Sequence, residues 1–584
     1  MNQNIRRKLD RITNTLFAGG VVNPITYIEQ ISYLIYLKLL DEEENSRELR
    51  EKLTNSGGNG NSKRLFPGQA ERFRWSKWRF KSGDELRNFI RDDVFNYMAN
   101  SLMREEPKVA EYFKGATLEI TDPNVLKEVI DEIDSINFQK LGPDEKGDIY
   151  EYLLTYLGKI DSKTLGTFRT PRQIREMMVQ ILDPDFGDTI FDPACGTGGF
   201  LIDSLEYILS KYSNEKEELP IYGEEWLIQK YLQKYPEEKS KFDNENNENG
   251  EDAEVPKTFI QELKKENPNL QTYAKGHGEM IPNWDLLEAS LYGFDVSRNI
   301  MRIASMNMVL HSVPKSNIKR VNTLSSMGGL TDEDIRRKYK VILSNPPFAG
   351  VLPQESIRED LPTNSKKSEL LFLSVMMESL AKGGRCAVVV PEGLLFGSTT
   401  AHKEIRRKLL NDFEVQAIIS LPAGVFKPYA GVKTSIIVFR KPLNEKTDES
   451  ENATKKVWFY EIKNDGFDPD KVSGGGRTET PERNDIPQLI NEWREYKNSG
   501  FKNIPGIETG SILSYEDEES KNWWASYEKI AENDFNLSAN RYKPQMGQKP
   551  PEENPVDLIK DVLNLESEIK DGLEKLLINF EELE

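Results

Sequence analysis

The stretch FDPACGTGGF, residues 191–200, joins a short apolar run to a turn that contains three glycines. The run ends near Asp192 and is typical of a buried β-strand, while the residues after the turn continue as a helix. Glycines in such a turn let backbone N–H groups approach a ligand closely, because no Cβ stands in the way. The stretch therefore predicts a strand–turn–helix unit that binds a ligand at the carboxyl end of its strand.

The glycine spacing also limits the class of ligand. It is not G-x-G-x-x-G, and the chain contains no G-x-x-x-x-G-K-[ST], so sites for dinucleotides and for ATP phosphates are weakly supported. Asp295 ends the next strand, LYGFDV (291–296), where an acidic side chain can bind the two hydroxyls of a ribose. A nucleoside without phosphates indicates S-adenosylmethionine as the cofactor.

A further strand runs into the loop VILSNPPFAG, residues 341–350. A strand cannot continue through two prolines, because each lacks an N–H for the ladder, so the chain must leave the sheet at Asn345. Such a stiff loop can direct two acceptors, the Asn345 side-chain oxygen and the Pro346 carbonyl, toward one small amino group. The alternative is a rigid strand exit with a capping Asn. The residues NPPF (345–348) alone do not distinguish this structural role from the binding of an amino group.

Strand and helix patterns alternate from residue 189 to residue 440. The strand-like runs are TIFDPA, LYGFDV, VILSNPP, GRCAVVVP (384–391), VQAIISLP (415–422) and TSIIVFR (434–440). Helical patterns such as SRNIMRIASMNMVLH (297–311) lie between several of them. This alternation predicts an α/β fold, a doubly wound and mostly parallel sheet covered on both faces, with ligands at the carboxyl ends of the strands.

The remainder of the chain is expected to be helical. Since 584 residues exceed what one hydrophobic core organises, we expect several domains. We predict an N-terminal helical domain over 1–160, an α/β domain over 161–480 and a C-terminal helical region over 481–584. An acidic insertion at about 211–288, rich in Glu, Lys and Asn, would be partly disordered.

Composition excludes several classes of protein. The net charge of −19 argues against a chain that binds a nucleic-acid backbone unaided over a large surface. The two cysteines, Cys195 and Cys386, and the three histidines show no metal-ligand spacing, so we expect no transition-metal site. No signal peptide and no apolar run of about 18 residues occur, which predicts a cytoplasmic protein without a membrane span.

The stretch RFRWSKWRF, residues 72–80, alternates cations with aromatic side chains. Such interleaving can serve nucleic acid through backbone contacts and base stacking. We favour the alternative, in which Phe73, Trp75, Trp78 and Phe80 pack inside the helical domain and the cations stay in solvent.

The last segment, 556–584, has apolar residues at the a and d positions of about four heptads, with Glu566 as the polar exception. The apolar positions are Ile559, Val562, Ile569, Leu573, Leu576, Phe580 and Leu583. Such a seam predicts either docking on a partner helix or folding back on the chain's own domain.

Four motifs in one order, TFRTPRQI (167–174), FDPACGTGGF, YGFD and SNPPF, resemble the amino-group DNA methyltransferases, and most closely the modification (M) subunit of type I restriction-modification systems. NPITYIEQISYLIYLKLLDE near the start and NLSANRY (536–542) share the resemblance, which thus covers most of the chain. It implies a class I, Rossmann-like methyltransferase domain that methylates adenine N6 in DNA with S-adenosylmethionine. It also implies double-stranded DNA, a specificity (S) subunit, a second copy of the chain and a restriction (R) motor-nuclease subunit as partners.

The resemblance assigns roles to individual residues. Asn345 and the carbonyl of Pro346 would accept both N6 hydrogens, and Phe348, after Pro347, would stack on an adenine flipped out of the duplex. Asn322 stands where relatives often have Asp, beside the cofactor adenine. The implied cofactor-binding residues are Thr167, Phe168, Arg169, Thr170, Pro171, Arg172, Asp192, Gly196, Thr197, Gly198, Gly199, Asp295 and Asn322.

Two alternatives to this function remain. N-P-P-[FY] also occurs in enzymes that modify cytosine N4, an RNA base or a protein glutamine, all of which are planar amino nitrogens. The second alternative is a non-catalytic scaffold subunit, against which the intact SNPPF argues. The chain has no recognisable region for reading DNA sequence, so target recognition should come from another subunit.

Overall fold

The computed structural model describes the chain in segments: 3–54, 64–103, 106–138, 141, 143–156, 170–211, 231–232, 234–236, 256, 258–259, 270–272, 280–282, 284–311, 313–314, 316–348, 350–361, 363, 365–427, 431–444, 452–473, 476–513, 520–546 and 555–581. Most of the predicted insertion at 211–288 lies outside these residues. None of the helices within them is long and apolar enough to cross a membrane.

Helices occur throughout the described chain. They are α1 (Gln3–Ala18), α2 (Pro24–Thr54), α3 (Trp75–Trp78), α4 (Gly83–Asn88), α5 (Pro107–Phe113), α6 (Pro123–Asp134), α7 (Pro143–Thr155), α8 (Arg172–Leu182), α9 (Gly199–Ser210), α10 (Trp284–Ser290), α11 (Arg298–Leu310), α12 (Asp332–Arg336), α13 (Ser368–Ser379), α14 (Glu392–Phe396), α15 (Thr400–Asp412), α16 (Ile486–Asn498), α17 (Tyr527–Glu532) and α18 (Pro555–Glu581).

One mixed sheet lies at the centre of the α/β region. Its strands are β1 (Ile190–Asp192), β2 (Leu291–Asp295), β3 (Asn317–Arg320), β4 (Tyr339–Ser344), β5 (Leu380–Pro391), β6 (Glu414–Ser420), β7 (Thr434–Arg440), β8 (Lys456–Glu461), β9 (Ile507–Glu508) and β10 (Asn522–Ser526). Their order is β9-β10-β8-β6-β7-β5-β4-β1-β2-β3. Neighbours are parallel except where β7 meets β5 and β6, and where β8 meets β10. The predicted mostly parallel sheet is therefore confirmed.

The direction of strand addition reverses at β1. The chain adds β2 and β3 on one side of β1, and then crosses to add β4 and β5 on the other, so that Ile190 pairs with Leu291 on one side and Val341 on the other. In open α/β sheets, ligands bind at such a switch point, outside the carboxyl ends of the strands. The glycine turn follows β1 and the SNPPF loop follows β4, so the topology brings both motifs to this point.

Helices cover both faces of the sheet, as a doubly wound fold requires. Successive side chains of β4 alternate between two cores: Val341 and Leu343 pack in the core beneath α8 and α9, and Ile342 packs in the core beneath α13 and α15. The sheet continues past residue 480 through β9 and β10, and α16 packs on its α8 side. The segment after 480 is thus only partly helical, and the domain boundaries stay predictions.

The N-terminal helices α1 to α7 surround a core of their own, which also takes in one face of α11. The helix α2 begins at Pro24, and the Asn23 side-chain oxygen accepts a hydrogen bond from the backbone N–H of Ile25 at 3.0 Å. Arg302 on α11 donates to Glu29 on α2 at 2.6 Å, and both side chains are buried. A shared core and a buried ion pair therefore attach the helical region to the α/β region.

Most aromatic side chains of the stretch 72–80 pack inside the helical region, as the sequence predicted. Phe73, Trp75 and Trp78 are buried, but Phe80 is 72 % exposed, so its predicted burial is wrong. It lies beyond the end of α3, where the helical spacing that turns both tryptophans inward no longer applies. The expectation that the cations stay in solvent is wrong for Arg74, which is buried because Asp41 on α2 accepts from its guanidinium at 2.7 Å.

The helix α18 does not fold back on the described chain. All side chains from 556 to 578 are exposed, including Ile559, Val562, Ile569 and Leu573, each at 60 to 62 %. The fold-back alternative is wrong for these residues. The structure does not describe the Phe580 side chain, and Leu583 lies outside the described residues.

Candidate active site

The SNPPF loop is fixed where it leaves β4. The Asn345 side-chain nitrogen, Nδ2, donates to the Thr170 hydroxyl at 2.9 Å. On the far side of the prolines, the Ser368 hydroxyl at the start of α13 donates to the Pro347 carbonyl at 3.2 Å and accepts from the Gly350 N–H at 2.9 Å. The loop is therefore held at both ends by hydrogen bonds, in addition to the stiffness that its two prolines predicted.

The fixed loop presents two acceptors. The side-chain oxygen of Asn345, Oδ1, is buried and has no hydrogen-bond partner among the described residues. None of those residues donates to the Pro346 carbonyl either. In this orientation of the amide, Nδ2 is bound to Thr170 and Oδ1 is left available to a ligand. A buried acceptor without a partner costs about 1–3 kcal/mol, and a ligand with two N–H donors would remove this cost.

Phe348 lies beside these acceptors and is half-buried. Its ring packs edge-on against Phe426, with the ring centres 6.3 Å apart and the planes at 78°. This T-shaped contact restricts the ring, which can then act as one wall of a pocket for a planar group. Stacking of Phe348 on a flipped base stays a prediction.

The glycine turn adopts the backbone conformation that its glycines predict. Gly196 has φ of 54° and Gly198 has φ of 81°, both in the left-handed region. A Cβ at Gly198 would lie 2.6 Å from Cε of Met308, whereas a Cβ at Gly196 would meet no atom within 4 Å. The positive φ of Gly198 disfavours any other residue there, and the face of Gly196 is open to a ligand.

Asp295 joins the end of β2 to the glycine turn. One carboxylate oxygen accepts from the Gly196 N–H at 3.2 Å, and the other accepts from the Ser297 N–H at 2.7 Å. Burial raises the pKa of this carboxyl, which is 8 % exposed. The Val296 N–H also contacts this carboxylate, which still keeps acceptor capacity for a further donor such as a ribose hydroxyl.

Asp192 joins β1 to β4. Its Oδ1 accepts from the Ser344 hydroxyl at 2.7 Å and from the Ala194 N–H at 3.0 Å. Burial raises the pKa of Asp192 to about 7, and the nearby charge of Asp295 acts in the same direction. A cationic group at this position would offset both effects, so the carboxyl suits the ammonium of an amino acid.

Asp192→Asn should make the ligand-free protein more stable at pH 8. The folded-state pKa of about 7 lies above the ordinary value of 3.8, so the folded protein binds more protons than the unfolded chain between these limits. Its stability therefore falls as pH rises through this window, by about 4 kcal/mol at most. Asn stays neutral and still accepts from Ser344, so urea unfolding should show a gain at pH 8 and none at pH 4.

The exposed Glu404 offers a control for that measurement. Glu404→Gln also removes one carboxyl, but it should leave the pH dependence of unfolding unchanged. Equal stability of wild type and Asp192→Asn at pH 8 would mean that the buried carboxyl is not destabilising.

The structure places the other predicted residues as follows. Asn322 follows β3 next to Asp295, since the Val321 N–H donates to the Asp295 carbonyl at 3.0 Å, but its own Oδ1 accepts from the Leu324 N–H at 3.2 Å within one turn. Pro171 and Arg172 begin α8. Three residues lie outside the described chain: Thr167, Phe168 and Arg169.

Sequence reasoning missed the side chains that hold the motifs together. Arg175, buried on α8, donates to Asp203 on α9 at 2.6 Å and to the Thr170 carbonyl at 2.9 Å. Asn307 on α11 donates to the Thr197 carbonyl at 3.0 Å. These contacts join separate helices and turns, and no local spacing in the sequence indicates them.

Comparison with known proteins shows the family of the chain. The family model described as N-6 DNA Methylase matches residues 142–232 and 274–550, and that of the HsdM N-terminal domain matches residues 5–133. The methylase subunit of the type I restriction enzyme EcoEI from Escherichia coli is 27 % identical over 549 residues, which cover 92 % of this chain and 90 % of that protein.

Two solved structures share the fold. A chain from a study of complex assembly in the type I restriction-modification system has a TM-score of 0.63 at 23 % identity, covering 99 % of this chain and 98 % of that one. The methyltransferase subunit of a type I system from Streptococcus thermophilus has a TM-score of 0.56 at 16 % identity, with 93 % and 99 % covered. The first family model spans more than half of the sequence, so the chain belongs to the N-6 DNA methylase family and is an adenine-specific DNA methyltransferase.

Proposed function

We propose that this chain is the modification subunit of a type I restriction-modification complex, which binds S-adenosylmethionine and methylates adenine N6 in DNA at sites chosen by a specificity subunit. The observation that carries this proposal is the buried Oδ1 of Asn345, without a partner among the described residues and fixed by Thr170 beside the Pro346 carbonyl. Two neutral acceptors in a fixed arrangement are what a planar amino group with two N–H donors requires.

The residues at the switch point fit the cofactor. Asp295 has acceptor capacity for ribose hydroxyls, Asp192 has a raised pKa that a cation would lower, and Gly196 offers an open backbone face. When bound, S-adenosylmethionine supplies the electrophilic methyl group. Residues 167–172, of which 167–169 lie outside the described chain, are proposed to bind its methionine end.

The chain's own residues act on the nucleophile. Adenine N6 is a poor nucleophile because its lone pair is delocalised into the ring. By accepting both N6 hydrogens, Asn345 and Pro346 favour tetrahedral geometry at the nitrogen and stabilise the positive charge that develops there. Phe348 would hold the flipped base in place, so that positioning supplies a large share of the rate.

Nucleoside mass spectrometry tests this function. DNA is taken from cells that lack adenine methylation of their own and that express this chain with a cognate specificity subunit. N6-methyladenine should appear, and it should be absent when the chain carries Asn345→Ala. N4-methylcytosine in its place, or unmethylated DNA, would contradict the proposal.

We assign α18 as the docking element for the specificity subunit. Its described side chains are exposed from 556 to 578, and its heptad seam requires a partner helix. A chain with a net charge of −19 and no recognisable region for reading DNA gains target recognition by such docking. The restriction subunit and a second copy of this chain are further proposed members of the complex.

Ile569→Lys combined with Leu573→Lys should abolish assembly with the specificity subunit. Both side chains are 62 % exposed on the a/d seam, so the change places two charges in the helix interface without disturbing the chain's own core. Co-purification should fall at least tenfold, while the melting temperature of the chain alone stays the same. The matched control is Asn564→Lys with Ser567→Lys, exposed on the same helix outside the seam, and equal loss in both pairs would contradict docking through the seam.

A further inference from the structure

Asn307 is fully buried on α11 and faces the glycine turn. Its Nδ2 donates to the Thr197 carbonyl at 3.0 Å, but its Oδ1 is buried with no partner among the described residues. An unpaired buried acceptor destabilises the folded state. A position kept for packing alone would be more stable with an apolar side chain of similar size, so the amide must serve another purpose.

The turn that Asn307 contacts has little conformational preference of its own. Thr197 lies between Gly196 and Gly198, and both glycines have positive φ. Glycine adopts many backbone conformations at similar energy, so a turn with a glycine on each side of its central residue needs an external contact to stay in one of them. The Gly196 N–H in turn donates to Asp295, the proposed ribose-binding carboxylate.

We propose that Asn307 is a positioning residue for cofactor binding, which holds the Thr197 carbonyl so that the glycine turn and the Asp295 carboxylate stay in the arrangement that binds S-adenosylmethionine. This inference rests on the proposed function. Asn307 does not touch the reacting atoms and acts through the turn.

The helix that carries Asn307 is also held by the N-terminal helices. Arg302 donates to the Glu29 carboxylate at 2.6 Å and to the Lys114 carbonyl at 2.7 Å. Apolar side chains of α11, including Ile303 and Leu310, complete the N-terminal core. The N-terminal helical region therefore supports the cofactor turn through one helix.

Calorimetric titration of the full chain with S-adenosylmethionine tests the role of Asn307. Asn307→Leu should raise the Kd and the KM for the cofactor about tenfold. It should leave the KM for DNA and kcat at saturating cofactor within twofold, and it should not lower the melting temperature, because the unpaired Oδ1 is removed as well. Ser305→Ala, on the same helix, should behave like wild type.

The possible results are distinct. Unchanged cofactor affinity in Asn307→Leu overturns the positioning role. If Asn307→Leu lowers the melting temperature, Asn307→Ala is measured as well. A loss of cofactor affinity that is proportional to the loss of melting temperature in both variants would show that Asn307 serves packing, and it would overturn the proposal. Wild-type protein that does not bind S-adenosylmethionine refutes the proposed function itself.

Discussion

Asn345→Ala should lower the rate constant of methyl transfer by about two to three orders of magnitude, the usual effect of removing one preorganised polar group from the transition state. The variant loses the buried Oδ1 that accepts from the substrate amino group, while the Pro346 carbonyl remains. Cofactor affinity is measured separately, because Asn345 bonds to Thr170, itself an implied cofactor-binding residue, although it bonds to no residue of the glycine turn. Single-turnover assays in the complex with the specificity subunit separate the two quantities.

Two variants of Thr170 test whether the orientation of the amide matters. Thr170→Val removes the hydroxyl that accepts from Asn345 Nδ2 and keeps the shape of the side chain. It should lower the rate about tenfold, the equivalent of one hydrogen bond, while Thr170→Ser should stay near wild type. If Asn345→Ala retained more than a tenth of the wild-type rate, the two-acceptor geometry would not be the source of catalysis.

The sequence predicted the parts of the site that depend on local chemistry. Paired prolines end a strand, and glycines with positive φ form a turn, whatever surrounds them, so SNPPF and the turn at 196–199 could be located before the structure was known. The strand-and-helix alternation predicted that ligands lie at the carboxyl ends of the strands, but the switch point that brings the two motifs together came only from the strand order of the structure. The contacts between Arg175 and Asp203 and between Asn307 and Thr197 were not predictable, because each depends on the packing of separate elements.

In the sheet, too, local features were predictable from the sequence and contacts between separate elements were not. The apolar run at 434–440 was recognisable as a buried strand, but its antiparallel direction was not, since periodicity carries no information about the direction of a neighbour. The sequence correctly predicted the burial of Trp75 and Trp78, which share a helical face. The same prediction was wrong for Phe80, which lies beyond the end of the helix. The burial of Arg74 was not predicted, because it depends on an ion pair with Asp41 on α2.

Arg302→Met should destabilise the protein by about 3–5 kcal/mol, the cost of leaving one partner of a buried ion pair alone. Among the described residues, the Glu29 carboxylate would then keep the Tyr33 hydroxyl as its side-chain donor, at 2.8 Å, in the core where α2 meets α11. For a chain of this length, the melting temperature should fall by about 2–4 °C. Combining Arg302→Met with Glu29→Gln should restore part of this loss, because no buried charge remains.

The surface pair of Arg11 and Glu132 provides the matched control, because it joins the same residue types while its arginine side chain is 65 % exposed. Arg11→Met should leave the melting temperature unchanged, since solvent screens such a pair. Equal effects of Arg302→Met and Arg11→Met would contradict the buried attachment. Since α11 also carries Asn307, the Arg302 variant should bind S-adenosylmethionine more weakly than wild type even below its melting transition. A variant that melts early but binds the cofactor normally would show that the attachment stabilises the fold without supporting the glycine turn.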